Sequence, residues 1–257
     1  MQLLATSVEA RDVFSLRTRH RDEMQGQIVH DSIHRRPGWT LTYALVLDGT
    51  TAGFGSVAIG GPWQDKPTIF EFYVLPTHRP RAFDLFETLL TATDARFMEI
   101  QSNDALLAVM LHTYARDIWT ERIVFRDGVT TSLRLCDAVL QQVTSDAETR
   151  ECIEQRDGGA EWELLVEAKS AAKGGLMFHY NRPYADIYME VAEPFRGRGL
   201  GSYMVQELKR LAYELGEIPC ARCSPDNIAS RKTLQRAGLV ACATILNGSI
   251  AGRAQPK

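Results

Sequence analysis

The sequence predicts an α/β (α+β) protein built as two copies of one unit. Three observations predict it. Stretches of period-two apolar alternation are interleaved with stretches of helical period along the chain. A strand–turn–helix pattern near Val74 recurs near Val191. The 257 residues suit two small domains or one large one.

The elements follow in order. Ser7 to about Gln25 reads as a helix with a thin apolar stripe, and Pro37-Gly38 breaks the chain. Leu41–Leu47 and Thr51–Ile59 flank the turn Asp48-Gly49 as a hairpin, and Thr68–Leu75 is a third strand. A helix over Ala82–Thr93, a strand over Phe97–Ile100 and a helix over Ala105–Arg116 come next. Arg122–Phe125 and Val129–Leu133 flank Asp127-Gly128, a hairpin signal. The order then restarts. A strand spans Ala138–Val143, and Ser145 with Glu148 opens a short helix as a capping box. Strands over Trp162–Val166, Gly175–Tyr180 and Asp186–Val191 lead to a strong amphipathic helix over Gly199–Leu215. Pro219–Cys223 is a strand, Asn227–Ala237 a helix stopped by Gly238, and Leu239–Leu246 the last strand.

Composition excludes several classes. At 45% hydrophobic and 24% charged the chain is an ordinary soluble globular protein. It is long enough to build its core without metals or disulfides. A net charge of -3 gives no reason to expect nucleic acid as a partner. The local basic clusters (Arg17, Arg19, His20, Arg21; His34, Arg35, Arg36) read as a solvated helix face and a loop. The cysteines are Cys136, Cys152, Cys220, Cys223 and Cys242, an odd number that fits a reducing, cytoplasmic setting. Cys220 and Cys223 form a CxxC on a strand, where residues three apart face opposite ways, so no metal site is expected. Glu9, Arg11 and Asp12 interrupt the first residues, which therefore do not read as a signal peptide. No apolar run approaches a membrane span.

The repeat carries the functional clue. In both copies an Arg stands five residues after a strand-end Val, and a second Arg two residues later: Arg79 and Arg81 after Val74, Arg196 and Arg198 after Val191. The second copy reads Arg196-Gly197-Arg198-Gly199-Leu200-Gly201-Ser202 and opens a helix. The first turn of a helix has orphan N–H groups and the positive end of the macrodipole, a site suited to phosphate. Three glycines remove the side chains that would hold a pyrophosphate off, and arginine can bond phosphate through two donors. The spacing is not G-x-G-x-x-G, because Ser202 takes the third position, and no P-loop is present.

The pattern Val191-x-x-x-x-Arg196-x-x-Gly199-x-Gly201 resembles motif A of the GNAT superfamily of acyl-CoA-dependent N-acyltransferases. Asn227, Ser230, Gly238 and Leu239 match motif B in register. The resemblance is good from Ala138 to Leu246 and weak before that. It implies two GNAT-like domains, 1–134 and 135–257, each a mixed, mostly antiparallel sheet flanked by helices. In the second, a splayed strand pair would hold the acyl-CoA. Backbone groups of Met189 to Val191 would pair with the pantetheine arm. The amides of Gly197, Arg198, Gly199, Leu200, Gly201 and Ser202, with Arg196, would hold the pyrophosphate. Asn227 would help position the pantetheine or thiol end, and Arg231 or Lys232 would either meet the adenosine 3′-phosphate or stand as exposed helix charges.

The implied reaction is direct attack of a primary amine on acetyl-CoA, the acyl-donor substrate, with no metal. Asp186, Tyr188 and Glu190 are the polar positions on the wedge strand, and Glu190 is the candidate base. One departure stands out: where many members carry a tyrosine that protonates the leaving thiolate, this chain has Leu234. The thiolate then leaves unassisted, or Cys223, Ser224 or Tyr184 serves. The first copy's turn, Arg79-Pro80-Arg81-Ala82-Phe83-Asp84, lacks the glycines, and Pro80 has no N–H. No CoA is expected there. The acceptor, a small molecule or a protein, is left open, as is monomer against homodimer. A catalytically silent acyl-CoA-binding sensor or structural protein is the alternative, and a nucleotide-binding protein a third.

Overall fold

The computed structural model describes residues 2–135 and 138–252, which leaves Cys136 outside the described residues. In chain order the elements are β1 (Leu3–Val8), α1 (Phe14–Met24), β2 (Thr40–Leu47), β3 (Thr50–Ala58), β4 (Thr68–Val74), α2 (Ala82–Ala92), β5 (Phe97–Gln101), α3 (Ala105–Tyr114) and β6 (Ala115–Asp127). There follow β7 (Ala138–Gln142), α4 (Asp146–Gln155), β8 (Gly159–Val166), β9 (Lys169–Met177), β10 (Tyr184–Val191), α5 (Leu200–Glu214), β11 (Ile218–Cys223), α6 (Ile228–Arg236) and β12 (Leu239–Ile250).

These elements form two compact units. The first comprises Met1–Gln25, Ile33–Glu121 and Thr244–Lys257; the second comprises Gly26–Ser32 and Arg122–Ala243. Strand order is β1-β2-β3-β4-β5-β12 in the first unit and β7-β8-β9-β10-β11-β6 in the second. Both orders run antiparallel through three pairings, then parallel (β4 with β5, β10 with β11), then antiparallel. The two units therefore share one topology, the sixth strand of the first being the part of β12 from Thr244 on and that of the second the part of β6 from Arg122 on. The expectation of 1–134 and 135–257 follows chain order. The contact units do not, because the chain passes between them more than once.

Each unit has its own core. In the first, Phe72 on β4 meets Phe86 on α2 edge to face at a centroid distance of 4.9 Å, among Leu85, Leu89, Met98 and Leu111. In the second, Met204, Val205 and Leu208 of α5 pack on Leu164, Leu176, Ile187 and Ala221 of the sheet. The centre of that sheet is closely spaced: a Cβ on Gly174 would stand 2.4 Å from the Tyr188 carbonyl oxygen, and one on Gly175 2.1 Å from that of Ala160. The Ser145 capping box of α4 forms as the sequence predicts, with Ser145 accepting from the Glu148 amide and Glu148 from the Ser145 amide.

Several local expectations are corrected. β1 replaces the start of the first helix, because Leu3–Val8 pairs with a strand some forty residues away, Leu3 opposite Leu47 and Val8 opposite Thr42. β9 begins at Lys169, since the β8–β9 turn is made by Glu167 and Ala168 at φ 49° and 57° and carries no glycine signal. Asp127-Gly128 is no hairpin. The Gly128 and Val129 amides instead donate to the Gly238 carbonyl, and Gln206 holds both backbone groups of Leu133. The basic cluster is only partly a solvated face. Arg17 and His20 are buried, and the His34 side chain is 2% exposed.

Those buried basic side chains have partners within the first unit. His34 Nε2 lies 2.7 Å from Glu71 Oε2 and Arg17 Nη2 lies 3.8 Å from Glu71 Oε1. His20 Nε2 lies 2.8 Å from Asp104. Burial alone would raise the Glu71 carboxyl, but His34 and Arg17 outweigh it and hold the group well below the carboxylate range.

Candidate active site

The parallel pair β10–β11 is a fork. Its pairing runs from Tyr184 opposite Ile218 to Ile187 opposite Ala221 and ends there. Beyond that point β10 continues four residues to Val191, paired with β9 on its other side through Val191 opposite Ala172. The backbone of Tyr188–Val191 thus presents an edge that β11 does not cover. An extended, amide-bearing ligand can add to such an edge as a strand would.

The turn after β10 sits at the mouth of this fork. Gly197 and Gly199 have φ of 78° and 81°, which a side-chain-bearing residue adopts only with strain. A Cβ at either glycine has no heavy atom nearer than 3.8 Å, so the space above the turn is open. α5 starts at Leu200 without a side-chain cap, and its first internal bond is the Tyr203 amide to the Gly199 carbonyl. The N–H groups of Leu200, Gly201 and Ser202 therefore point out of the helix end toward the turn.

A cleft of about 630 Å³ lies over the turn. It brings together Met189, Glu190, Val191, Arg196, Gly197, Gly199, Leu200, Gly201, Ser202 and Asn227, which the sequence singles out. Arg198 is the exception: it lies outside the lining, its guanidinium 5.4 Å from the Phe195 ring. Sequence reasoning also missed Arg236, whose guanidinium atoms stand 3.8–3.9 Å from a Cβ built on Gly199. Lys232 lines the cleft one helical turn away, whereas Arg231 does not. The i, i+4 spacing of Lys232 and Arg236 was readable, but which face of α6 it served was not.

Two sequence assignments gain detail. Arg196 Nε donates to the Val191 carbonyl at 3.1 Å, so this arginine closes the turn. Arg79 donates to the Val74 carbonyl at 3.2 Å in the first unit, the same bond at the same step of the repeat. Asn227 lines the cleft, but its Oδ1 caps α6 by accepting from the Ser230 amide at 2.9 Å.

The polar positions of the wedge strand differ sharply. Glu190 is exposed at the cleft, in register with Lys173 of β9. Asp186 is 5% exposed and fully engaged: Gln27 donates to Oδ1 at 3.0 Å, and Tyr180 and Arg222 donate to Oδ2 at 3.3 Å. Leu234 is buried among the α5 and sheet side chains, away from the cleft. Cys223 is buried at 5% exposure, and burial pushes its thiol pKa up. The four described cysteines are free.

The first unit has the same fork with different contents. β4 and β5 pair only at Thr68 opposite Phe97 and Ile69 opposite Met98. Its turn is a 3-10 helix over Pro76–Arg81, and no residue from 76 to 84 has positive φ. Arg79 is engaged by Glu23, Arg81 pairs with Asp84 at 2.8 Å, and Ala82 is buried. His20 of α1 projects beside the fork, its ring 5.7 Å from that of Tyr73.

The sequence profile of the Acetyltransferase (GNAT) domain matches residues 109–240, just over half of the chain. The chain belongs to the GNAT acetyltransferase family. A GNAT-family acetyltransferase from Colwellia psychrerythraea superposes with a TM-score of 0.74 at 14% identity, covering 97% of this chain and 100% of that one. A tandem GNAT protein of the clavulanic acid biosynthesis pathway gives a TM-score of 0.58 at 14% identity over 96% and 98%. A GCN5-related N-acetyltransferase from Sphaerobacter thermophilus gives 0.54 at 13% identity over 99% and 98%. At these identities the structures speak for the fold alone. No curated protein matches by sequence. As a member of the family the chain is an acyltransferase that draws on acyl-CoA. Among the described residues no helix is long and apolar enough to cross a membrane, and no cluster of three metal-ligating side chains occurs.

Proposed function

We propose that the chain is an N-acetyltransferase that moves the acetyl group of acetyl-CoA to a primary amine within a ternary complex. The carrying observation is the glycine turn with the uncapped α5 N-terminus beside the open edge of β10. On this reading the pyrophosphate rests on the amides of the turn, and Arg236 and Lys232 supply charge from α6. Met189 to Val191 run along the pantetheine arm. The amine nitrogen forms its bond to the thioester carbonyl carbon as the C–S bond breaks. Its proton passes to Glu190, directly or through water, and the thiolate takes a proton from solvent. Most of the rate comes from holding the two reactants together. The first unit, with a 3-10 turn and engaged arginines, binds no acyl-CoA and acts as a degenerate copy.

The test is calorimetric titration with acetyl-CoA, followed by thiol release across an amine panel. One binding site is expected. Glu190→Gln should lower turnover by roughly 10²-fold or more, with acetyl-CoA affinity unchanged. Binding without turnover of any amine, and no effect of Glu190→Gln, would favour a silent acyl-CoA-binding protein. The burial of Leu234 at the usual acid position is the observation on that side.

A further inference from the structure

We infer that the acceptor carries a carboxylate beside its reactive amine, and that Arg222 binds that carboxylate. The inference rests on the transferase reading and narrows its substrate class. Arg222 follows Ala221, the last residue of β11 paired with β10, so it stands where the fork opens. A thioester held in the fork ends at this point.

Strand alternation fixes the face. Ile187, Ala221 and Cys223 pack into the core with α5, so Arg222, Asp186 and Tyr188 project from the opposite face of the sheet. The phosphate turn and α5 occupy one side of the fork, and an amine has the other side for its approach.

The chemistry at that spot is set by how its groups are engaged. Both oxygens of Asp186 accept bonds, from Gln27, Tyr180 and Arg222. Burial raises the Tyr180 phenol, which stays protonated and donates to Asp186. Arg222 donates through Nε and Nη2 to Asp186 and through Nη2 to the Tyr180 hydroxyl, and its guanidinium lies 5.1 Å from the Tyr180 ring centroid. Nη1 has no protein partner among the described residues, and the side chain keeps 27% of its exposure. The acid here is used up, and an immobilised guanidinium retains donors for an anion. A planar, fixed guanidinium selects a carboxylate geometrically.

The experiment uses the full chain and matched acid and amide pairs: glycine and glycinamide, leucine and leucinamide, methionine and methioninamide, phenylalanine and phenylalaninamide. Thiol release gives kcat/KM for each, and calorimetry gives acetyl-CoA affinity. The wild-type protein should favour at least one acid over its amide by roughly tenfold or more, the scale of one charged hydrogen bond. Arg222→Gln should bring that ratio near one through KM, Arg222→Lys should restore part of it, and acetyl-CoA affinity should hold in both. Three results would overturn the inference: amides used as well as acids, no turnover of any carboxylate-bearing amine, or an equal loss for every acceptor together with weaker acetyl-CoA binding. The last would make Arg222 a structural pin of the fork. A wild-type protein that binds no acetyl-CoA would instead refute the transferase reading itself.

Discussion

Gly199→Ala separates the cost of backbone strain from the cost of filling the cleft. Gly199 has φ 81°, so an alanine there costs about 1–2 kcal/mol in any surroundings. Its Cβ would be 3.8–3.9 Å from the Arg236 guanidinium, ordinary contact, so the free protein has no clash to add. At about 2–4 °C per kcal/mol for a protein of this size, melting should fall by roughly 2–8 °C. An anion bridging the turn and Arg236 must occupy the gap that the methyl enters. Losing one charged hydrogen bond is worth about 1.5–3 kcal/mol, which lowers acetyl-CoA affinity roughly 10- to 100-fold. Gly216→Ala is the matched control. Gly216 has φ 77°, nothing within 4 Å of its Cβ, and stands beyond the far end of α5. It should show the same loss of melting temperature with acetyl-CoA affinity intact, read by thermal melts and calorimetry. Equal loss of affinity in both variants, or none in Gly199→Ala, would refute the assignment of the turn. Ala82→Asp would be a poor control, because Ala82 is buried in the core of the first unit.

Two further outcomes are expected. Leu234→Tyr should destabilise the protein by about 1–3 kcal/mol through overpacking and should not raise turnover, because position 234 faces the core; a faster enzyme would show that this side chain reaches the cleft. Glu71 has a folded pKa below its ordinary 4.5, so its contribution to stability is present above that value and is lost as pH falls below it. Glu71→Gln should cost about 3–5 kcal/mol at neutral pH by removing the buried charge that faces Arg17 and His34, and should flatten the melting curve below pH 4.5; an unchanged acid limb would refute the role of this carboxylate.

How much of this was legible depended on the range of the interactions involved. The capping box at Ser145 and the glycine turn were readable because their partners lie within a few residues. The amphipathic α5 was readable because its core contacts repeat at helical spacing. β1 and the first half of β9 were not, since one is defined by a distant partner and the other by a turn of Glu167 and Ala168. Arg17, His20 and His34 carry the composition of a solvated face, yet Glu71 and Asp104 hold them inside.

At the site the division is the same. The sequence by itself determined the turn Arg196 to Gly201 and its degraded counterpart at Arg79 to Asp84, because glycine, proline and the loss of an N–H act locally through φ and hydrogen bonding. Only the tertiary structure decided that Arg196 closes its own turn, that Arg236 faces Gly199, that Asp186 is engaged on both oxygens while Arg222 keeps donors to spare, and that β6 and β12 are each divided between the two units. Those facts depend on which distant side chains and strands meet, and the pattern along a single strand or helix does not encode that.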